Sequence, residues 1–338
     1  MEFNERYSRQ ILFPPVGAEG QKRLAGARVA LVGCGATGSA LSSMLARAGV
    51  GYLRIIDRDY VELSNLQRQV LFDEADAAES LPKAVAACRK IRAFNSEIVI
   101  EPQAADLVPD NAAELLANVQ LILDGTDNFE TRYLINDYAV REKLPWIYAA
   151  GVGSYAVTMN VLPEETACLA CLFPDTPRGM VETCDTSGIL NSAVNLVASI
   201  AATEAMKLLV GARDKLRPTL LSYDLWLNEG AQISTAHPRE ECRACQLHDF
   251  VHLAGECRPP ISLCGRNSVQ IHERRRPIDF GEVTRRLRPH GQVKHNEFVL
   301  KFWHDRYEMT LFPDGRAIIK GTSDTGIARS LYARYVGT

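Results

Sequence analysis

The sequence predicts an α/β protein whose Rossmann-like, doubly wound and mainly parallel sheet continues into antiparallel strands and is followed by a small α+β domain. A glycine-rich loop, GCGATG, lies between a predicted strand and a predicted helix. Strand-like and helix-like segments then alternate, which is the pattern of βαβ units in a parallel sheet. The chain has 338 residues, enough for one large domain and a smaller one.

The elements of the parallel sheet can be assigned in chain order. ARVALVG is the first strand, residues 37–48 form the helix after the glycine loop, and YLRIID is the second strand. Helices are then predicted at residues 82–95, 110–118 and 129–143, with extended segments at 97–103, 119–126 and 145–151.

The pattern changes after about residue 152. SYAVTMNVLP alternates like an antiparallel strand, and residues 219–235 are also predicted to be extended. The apolar segment at 189–211 contains Glu204 and Lys207, which a membrane-spanning helix would bury at high cost, so a core helix is predicted. No membrane association is expected.

A domain boundary is predicted near residue 250, because residues 246–268 resemble a linker rich in proline and glycine. This gives domains at 1–250 and 251–338. The second is predicted to be a small meander, with a PDG hairpin turn, capped by a helix over 324–336.

The charge differs between the two predicted domains. Residues 1–250 contain 23 Lys+Arg against 32 Asp+Glu, whereas residues 251–338 contain 15 against 9. A basic tail could bind an acidic protein or RNA, although a solvated face is the more common meaning of such a charge run. The tail has no interleaved aromatic residues that would indicate nucleic-acid stacking, and no DNA partner is expected.

The glycine loop and the end of the second strand predict a nucleotide site. Gly33, Gly35 and Gly38 would let backbone approach phosphates at a helix N-terminus. Asp57 lies where an acidic residue can bind ribose hydroxyls. These features alone fit NAD, FAD, a methyl donor or ATP.

Residues downstream favour a nucleotide that is cleaved. SNLQRQ supplies Asn65 and Arg68, and Lys83 opens the following helix. Two fixed cations near the phosphates suit a reaction in which negative charge develops on departing pyrophosphate. The alternative is that Arg68 and Lys83 form surface ion pairs.

Two carboxylates are predicted at the C-terminal end of a buried strand. Asp124 and Asp127 occur in LILDGTDN, at the edge where ligands bind in open α/β sheets. Carboxylates there could hold Mg²⁺ together with substrate phosphates, and Asp127 is the metal candidate. The alternative role of Asp127 is to cap the helix that begins near Phe129.

Two CxxC pairs predict a structural zinc site. Cys168 with Cys171, and Cys242 with Cys245, have matching spacing, and four thiolates suit a closed tetrahedral Zn²⁺ site. Cys184 differs from the remaining cysteines, since it lies in the polar, glycine-flanked GMVETCDTSG. There a thiol could be exposed and reactive, or merely incidental.

Taken together, these motifs resemble the ThiF/MoeB family, the bacterial relatives of ubiquitin-activating enzymes. The matching segments occur in family order across residues 6–245: RYSRQILFPPVGAEGQKRL, GCGATGS, DRDYVELSNLQRQ, LPKA, DGTDN, the two CxxC pairs and ETCDTSGI. The loop has Gly-Ala-Thr-Gly where many members have Gly-Gly-Leu-Gly, and the basic tail extends beyond the short members.

The resemblance implies an adenylyltransferase. It implies that ATP adenylates the C-terminal glycine of a ubiquitin-like sulfur-carrier protein (ThiS/MoaD-like), with release of pyrophosphate, so that the carrier can become a thiocarboxylate. By resemblance, Asp57 holds the ribose, Asn65, Arg68 and Lys83 contact the phosphates, and Asp127 serves Mg²⁺. Arg9 would reach the γ-phosphate region of a neighbouring subunit, which implies a homodimer.

Further expectations follow for sulfur transfer and for location. Cys184 matches the family's crossover-loop cysteine, which forms a covalent link to the carrier in some members and is dispensable in others. The tail contains no evident rhodanese-like domain, so a separate sulfur donor, such as a cysteine desulfurase or a rhodanese, is expected. We expect the tail itself to dock a carrier or a donor. The charged N-terminus MEFNERYSRQ lacks a signal peptide's apolar region, which favours a cytoplasmic location.

Rival functions remain at this stage. They are an NAD-dependent oxidoreductase, a non-catalytic carrier-binding module, and an enzyme of the same fold that modifies RNA or a peptide terminus.

Overall fold

The computed structural model describes residues 5–174, 188–256, 261–263, 267–271 and 278–337, with only the backbone described for 261–263. The chain divides into two compact units, Met1–Cys257 and Arg258–Thr338. Each unit is built around its own sheet.

The first unit contains an eight-stranded sheet in the order β3-β2-β1-β4-β5-β6-β7-β8. Neighbouring strands from β3 to β5 pair in parallel, and those from β5 to β8 pair antiparallel. The predicted fold class is therefore confirmed, and the extended region at 219–235 is a hairpin of two strands. The strands are β1 (Arg28–Val32), β2 (Tyr52–Ile56), β3 (Val99–Gln103), β4 (Leu121–Asp124), β5 (Trp146–Val152), β6 (Tyr155–Val161), β7 (Thr219–Asp224) and β8 (Glu229–Ser234).

Helices connect the parallel strands, as the alternating pattern predicts. Those described in the first unit are α1 (Ser8–Ile11), α2 (Gly17–Gly26), α3 (Ala36–Ala48), α4 (Glu74–Glu79), α5 (Lys83–Phe94), α6 (Pro109–Leu115), α7 (Phe129–Arg141), α8 (Leu169–Leu172) and α9 (Asn191–Val210), with short 3₁₀ turns at Glu5–Tyr7, Leu63–Asn65 and Arg213–Lys215.

Helix α9 is long and apolar enough to cross a membrane by composition alone, but it packs against α2, α3, β5 and β6. Glu204 on this helix is buried and accepts hydrogen bonds from Asn160 Nδ2 at 2.6 Å and from the Arg217 backbone N–H at 2.9 Å. Lys207 Nζ lies 2.6 Å from its other oxygen. A buried carboxylate with these partners ties α9 to β6 and to the start of β7, as expected for a core helix.

The second unit contains more strands and helices than the predicted meander with its one capping helix. It contains a six-stranded antiparallel sheet in the order β11-β12-β13-β14-β10-β9, together with two helices. The linker prediction for 246–268 is wrong in part, because β9 and the first residue of β10 lie inside it. The elements are β9 (Ile261–Leu263), β10 (Ser268–Ile271), α10 (Phe280–Leu287), a 3₁₀ turn at Arg288–His290, β11 (Gln292–His295), β12 (Leu300–His304), β13 (Tyr307–Leu311), β14 (Ala317–Lys320) and α11 (Thr325–Tyr335).

Candidate functional site

The glycine loop between β1 and α3 uses its glycines for different purposes. Gly33 has a positive φ of 84°, and a Cβ there would lie 2.7 Å from the Gly125 backbone. A Cβ on Gly38 would lie 1.9 Å from the Gly33 carbonyl oxygen. At Gly35 the nearest atom is 3.8 Å away, on Gln69. Gly33 and Gly38 are therefore required by chain packing, whereas Gly35 leaves open space beside the loop.

The start of α3 offers free backbone donors. The first intrahelical bond runs from the Ser39 N–H to the Gly35 carbonyl at 3.0 Å. The N–H groups of the first three helical residues, Ala36, Thr37 and Gly38, have no acceptor within the helix. Such an array, at the positive end of the helix dipole, is suited to bind a phosphate group.

Asp57, at the end of β2, is attached to the same loop. Its carboxylate accepts the Cys34 N–H at 2.6 Å and the Asp59 N–H at 2.7 Å. Burial raises the pKa of Asp57, and the positive charge of Lys83 opposes this rise. The carboxylate is therefore fixed beside the glycine loop, where the fold places the ribose of a bound nucleotide.

Lys83, the first residue of α5, is buried near this carboxylate. Its Nζ lies 3.2 Å from Asp59 Oδ2, and its backbone N–H donates to the Asp59 carbonyl at 2.8 Å. Burial alone would lower the pKa of Lys83, but the charges of Asp59 and Asp57 outweigh burial and raise it. Lys83 is therefore a buried, protonated cation, not a surface ion pair.

Asn65 and Arg68 lie in the turn after the second strand. Asn65 is buried, and its Oδ1 accepts the Glu62 N–H at 3.1 Å, which shapes the turn. The half-buried Arg68 donates to the Ser64 carbonyl at 2.9 Å. Within the described ranges Arg68 has no carboxylate partner, so its charge is available to an anionic ligand.

The DGTDN turn after β4 separates its two acidic residues. Asp124 is fully buried and accepts hydrogen bonds from Arg132 Nε at 2.9 Å and the Thr126 N–H at 2.8 Å. Its carboxylate is thus engaged by the protein. Asp127 is exposed, and it contributes to the charge environment of Lys83 and Arg132. The exposed position of Asp127 fits the role of a single protein carboxylate that binds a cation together with substrate phosphates.

The capping alternative for Asp127 is wrong. Asn128 is the N-cap of α7, and its side chain accepts the Thr131 N–H at 2.9 Å. Asp127 precedes the cap and is not used by the helix.

Sequence reasoning missed several residues that shape this site. Gly125 approaches the backbone of Gly33 and Gly38, Asp59 holds Lys83, Arg132 holds Asp124, and Gln69 lies beside Gly35. The glycine directly after the buried strand was a usable signal for Gly125. The others depend on side-chain contacts that no local spacing indicates, from Arg132 with Asp124, eight residues apart, to Lys83 with Asp59, 24 residues apart.

Two predicted site residues are not brought to this cluster by the described structure. Arg9 is exposed on α1, and its predicted role belongs to a neighbouring subunit. Cys184 lies outside the described residues.

The four predicted metal ligands converge. The Sγ atoms of Cys168, Cys171, Cys242 and Cys245 all lie within 4.8 Å of one another. Three of the separations are 3.9, 3.6 and 3.4 Å. A tetrahedron with Zn–S bonds of about 2.3 Å has S–S edges of about 3.8 Å, so the cluster fits zinc.

Neighbouring groups also suit a thiolate cluster. Asn136 Nδ2 lies 3.7 Å from Cys168 Sγ, and the Arg239 N–H donates to Cys171 Sγ at 3.4 Å. Such N–H donors stabilise sulfur ligands that carry negative charge.

Helix α7 links the cysteine cluster to the DGTDN turn. Asn136 on this helix also accepts the Leu169 N–H at 2.9 Å. On the next residue, the fully buried Asp137 forms an ion pair with Arg243 at 3.2 Å. The helix that begins beside Asp127 therefore contacts both CxxC segments.

Comparisons with known proteins agree with this geometry. The sequence matches the ThiF family over residues 7–244. It is 44% identical over 336 residues to "Sulfur carrier protein ThiS adenylyltransferase" of Bacillus subtilis, covering 98% of this chain and 99% of that protein. It is 38% identical over 247 residues to "Sulfur carrier protein adenylyltransferase" of Thermus thermophilus, covering 71% of this chain and 90% of the relative.

A similar fold occurs among solved structures. A crystal structure of E. coli MccB with AMPCPP and MccA aligns with a TM-score of 0.63 and 25% identity, covering 72% of this chain and 74% of that one.

Proposed function

The chain belongs to the ThiF family, and from this premise we propose that it uses ATP to adenylate the C-terminal glycine of a ubiquitin-like sulfur-carrier protein (ThiS/MoaD-like). The relatives named as sulfur-carrier adenylyltransferases support this function, and none of the comparisons supports the NAD-dependent oxidoreductase or the non-catalytic binding module. The observation that carries the proposal in the structure is Lys83, a buried cation whose Nζ lies 3.2 Å from Asp59. Asp59 donates its N–H to Asp57, and the same Asp57 carboxylate accepts the Cys34 N–H of the glycine loop.

In the reaction, the terminal carboxylate of the carrier attacks the α-phosphorus of ATP. The bond from the α-phosphorus to the bridging oxygen breaks, pyrophosphate leaves, and a carrier acyl-adenylate remains. The free N–H groups of α3 would donate hydrogen bonds to phosphate oxygens, and Asp57 would accept hydrogen bonds from the ribose hydroxyls. Arg68 and Lys83 would neutralise the charge that develops on pyrophosphate.

Asp127 is the residue that would hold Mg²⁺. When bound, this ion supplies charge neutralisation on the phosphates. The protein contributes the exposed carboxylate of Asp127, on a turn that the buried ion pair of Asp124 and Arg132 stabilises.

The four cysteines would hold Zn²⁺ in a structural role. A site with four thiolate ligands has no open coordination position, so the metal would stabilise the junction of α7 and α8 with the segment after β8.

Other parts of the proposal concern partners. Arg9 would act in the neighbouring subunit of a homodimer. A separate protein, such as a cysteine desulfurase or a rhodanese, would donate sulfur, and Cys184 would take part in that later step but not in adenylation. A cytoplasmic location and the functional assignment of the two domains remain predictions.

Exchange of labelled pyrophosphate into ATP, with candidate carriers ending in Gly-Gly, tests the function. Lys83→Ala and Arg68→Ala should each lower the exchange rate by about 10²-fold or more, because each stabilises the leaving group. Lys22→Ala is the matched control, since Lys22 forms an exposed ion pair with Glu19. Carrier-dependent exchange that survives both site substitutions would contradict the proposal, as would nicotinamide binding without exchange.

A further inference from the structure

Four arginines lie together on the surface of the second unit. Arg285 and Arg286 are in the last turn of α10, Arg288 is in the 3₁₀ turn that follows, and Arg334 is in the last turn of α11. All four residues are exposed. They are called the arginine cluster below.

Contacts between the two helices show that these arginines share one surface. Arg286 Nη2 donates to the carbonyl of Val336, the C-cap residue of α11, at 2.8 Å. The rings of His290, after α10, and Tyr335, on α11, have centroids 5.8 Å apart. The guanidinium carbon of Arg334 lies 5.2 Å from the same Tyr335 centroid. The C-terminal ends of α10 and α11 therefore meet at the arginine cluster.

Helix dipoles account for only part of this positive charge. Each helix C-terminus carries about half a negative charge, which favours a nearby cation. The two ends together offset about one of the four positive charges. Among the hydrogen bonds of the described residues, that of Arg286 is the one that joins the cluster to a helix carbonyl. A positive charge of about three remains without a structural explanation.

The acidic side chains of this unit are engaged elsewhere. Asp279 and Asp324 cap the opposite, N-terminal ends of the same two helices. Ion pairs between described residues of the unit do not include the arginine cluster, and join His304 with Asp305 and Arg316 with Asp314. Like charges that lie close together destabilise a folded domain through repulsion. An unpaired cluster of arginines is therefore expected to have an anionic partner.

The chemistry of the surface favours a protein partner over a nucleic acid. Guanidinium groups bind carboxylates in a bidentate geometry. Single-stranded nucleic acids stack their bases on exposed aromatic rings, and no described Phe, Tyr or Trp of the second unit is exposed. The whole chain has a net charge of -3, so it repels a long polyanion. A compact acidic patch instead responds to charges within about 8 Å at physiological salt.

We propose that the arginine cluster docks an acidic surface on the body of the carrier protein. The proposal rests on the proposed function, in which the carrier is the macromolecular substrate and must stay bound while its terminal glycine reacts. A sulfur donor acts only after the acyl-adenylate has formed. The second unit thus recognises the substrate through residues 285–288 and 334, which take no part in the chemistry.

Binding of Gly-Gly carriers to the full chain, measured by titration calorimetry at about 0.01 M and about 0.1 M salt, tests the proposal. Arg285→Glu/Arg288→Glu replaces attraction with repulsion, so the carrier Kd at low salt should rise by about tenfold or more. Salt should weaken carrier binding by the wild type more than by this variant. Arg334→Glu, on the other helix, is an independent variant expected to act in the same direction. Arg286 is left in place because it caps α11.

Pyrophosphate exchange gives a second readout. The docking variants should raise KM for the carrier and leave kcat and the ATP Kd unchanged, because the arginine cluster contributes binding and not chemistry. The matched control is Arg92→Glu/Arg329→Glu, which makes the same change in charge at two exposed arginines outside the cluster. The control should bind the carrier within about twofold of the wild type. All variants should keep the thermal midpoint of the wild type.

A carrier Kd for the docking variants within about twofold of the wild type at low salt would overturn the proposal. So would an equal loss in the control, or a docking variant that loses affinity for RNA or for a sulfur donor but not for the carrier. In these cases carrier-dependent exchange by the wild type leaves the proposed function standing. A wild type that binds the carrier through the cluster without any exchange would refute the proposed function alone. A wild type that binds no carrier would refute both.

Discussion

Replacing Asp59 with asparagine should weaken the fold by removing the carboxylate that holds Lys83. The two charged atoms are 3.2 Å apart. At this distance two unit charges interact by about 5 kcal/mol at an effective dielectric of 20, and by about 1 kcal/mol in bulk water. Lys83 is buried, but the Asp59 side chain is 36% exposed, so solvent screening moves the value towards the lower limit. Asp57 also continues to stabilise the Lys83 charge. We therefore expect a loss of about 1–2 kcal/mol in the free energy of unfolding.

Urea denaturation of the wild type, Asp59→Asn, Lys83→Met and the double variant would measure this coupling as a mutant cycle. The neighbouring carboxylates raise the pKa of Lys83 in the folded state. Stability from this pair is thus fully present below the lysine value of the unfolded chain, about 10.4, and is lost as pH rises through the folded pKa. The coupling should be constant from pH 7 to 9. A coupling energy near zero at pH 8 would refute the assignment of Lys83 as a buried cation held by Asp59.

Three further predictions follow. Gly35→Ala should fold normally but bind ATP at least about tenfold more weakly, because its Cβ would enter the open space beside the loop, whereas Gly38→Ala should lower the melting temperature, because its Cβ would lie 1.9 Å from a carbonyl oxygen. Circular dichroism and ATP titration distinguish the two variants, and equal effects of both on melting temperature and on ATP affinity would contradict the different roles of the two glycines. Purified protein should contain one zinc per chain by elemental analysis, and Cys171→Ser should lower both zinc content and melting temperature; a zinc-free wild type of full stability would contradict the site. Burial tends to raise the pKa of Glu204, but hydrogen bonds from Arg217, Lys207 and Asn160 outweigh burial and lower it. The stability advantage of the wild type over Glu204→Gln should therefore be present above about pH 4.3 and decline as pH falls through the lower, folded-state pKa. An advantage in urea titrations that grows on acidification would contradict a lowered pKa for Glu204.

The features that the sequence predicted best are those in which spacing itself specifies geometry. Gly33 and Gly38 allow the loop to pack closely, and Gly35 leaves space beside the helix N-terminus, so this glycine spacing between a strand and a helix predicts a nucleotide loop. Two CxxC pairs predict a four-sulfur cluster for the same reason, although 74 residues separate Cys168 from Cys242.

Other features depend on tertiary contacts that no local pattern encodes. Asp59 has no distinctive pattern around it that would mark a lysine partner, and its role arises only when α5 packs beside it and brings Lys83 within 3.2 Å. Asp124 and Asp127 look alike in DGTDN, but Arg132, eight residues later, engages only the first. In the second unit, β9 and β10 have three and four residues, too few to show a clear alternation beside the glycine and prolines around them.

The central claim is that the α-phosphate of ATP is transferred as AMP to the carboxylate of a carrier, with fixed cations receiving the pyrophosphate. Intact-mass spectrometry of a Gly-Gly carrier, quenched after incubation with this protein, ATP and Mg²⁺, tests it most directly. We expect the carrier to gain the mass of one AMP moiety while pyrophosphate is released, and Lys83→Ala to abolish most of that product. A carrier that gains only a phosphoryl group, with release of ADP, would contradict the claim.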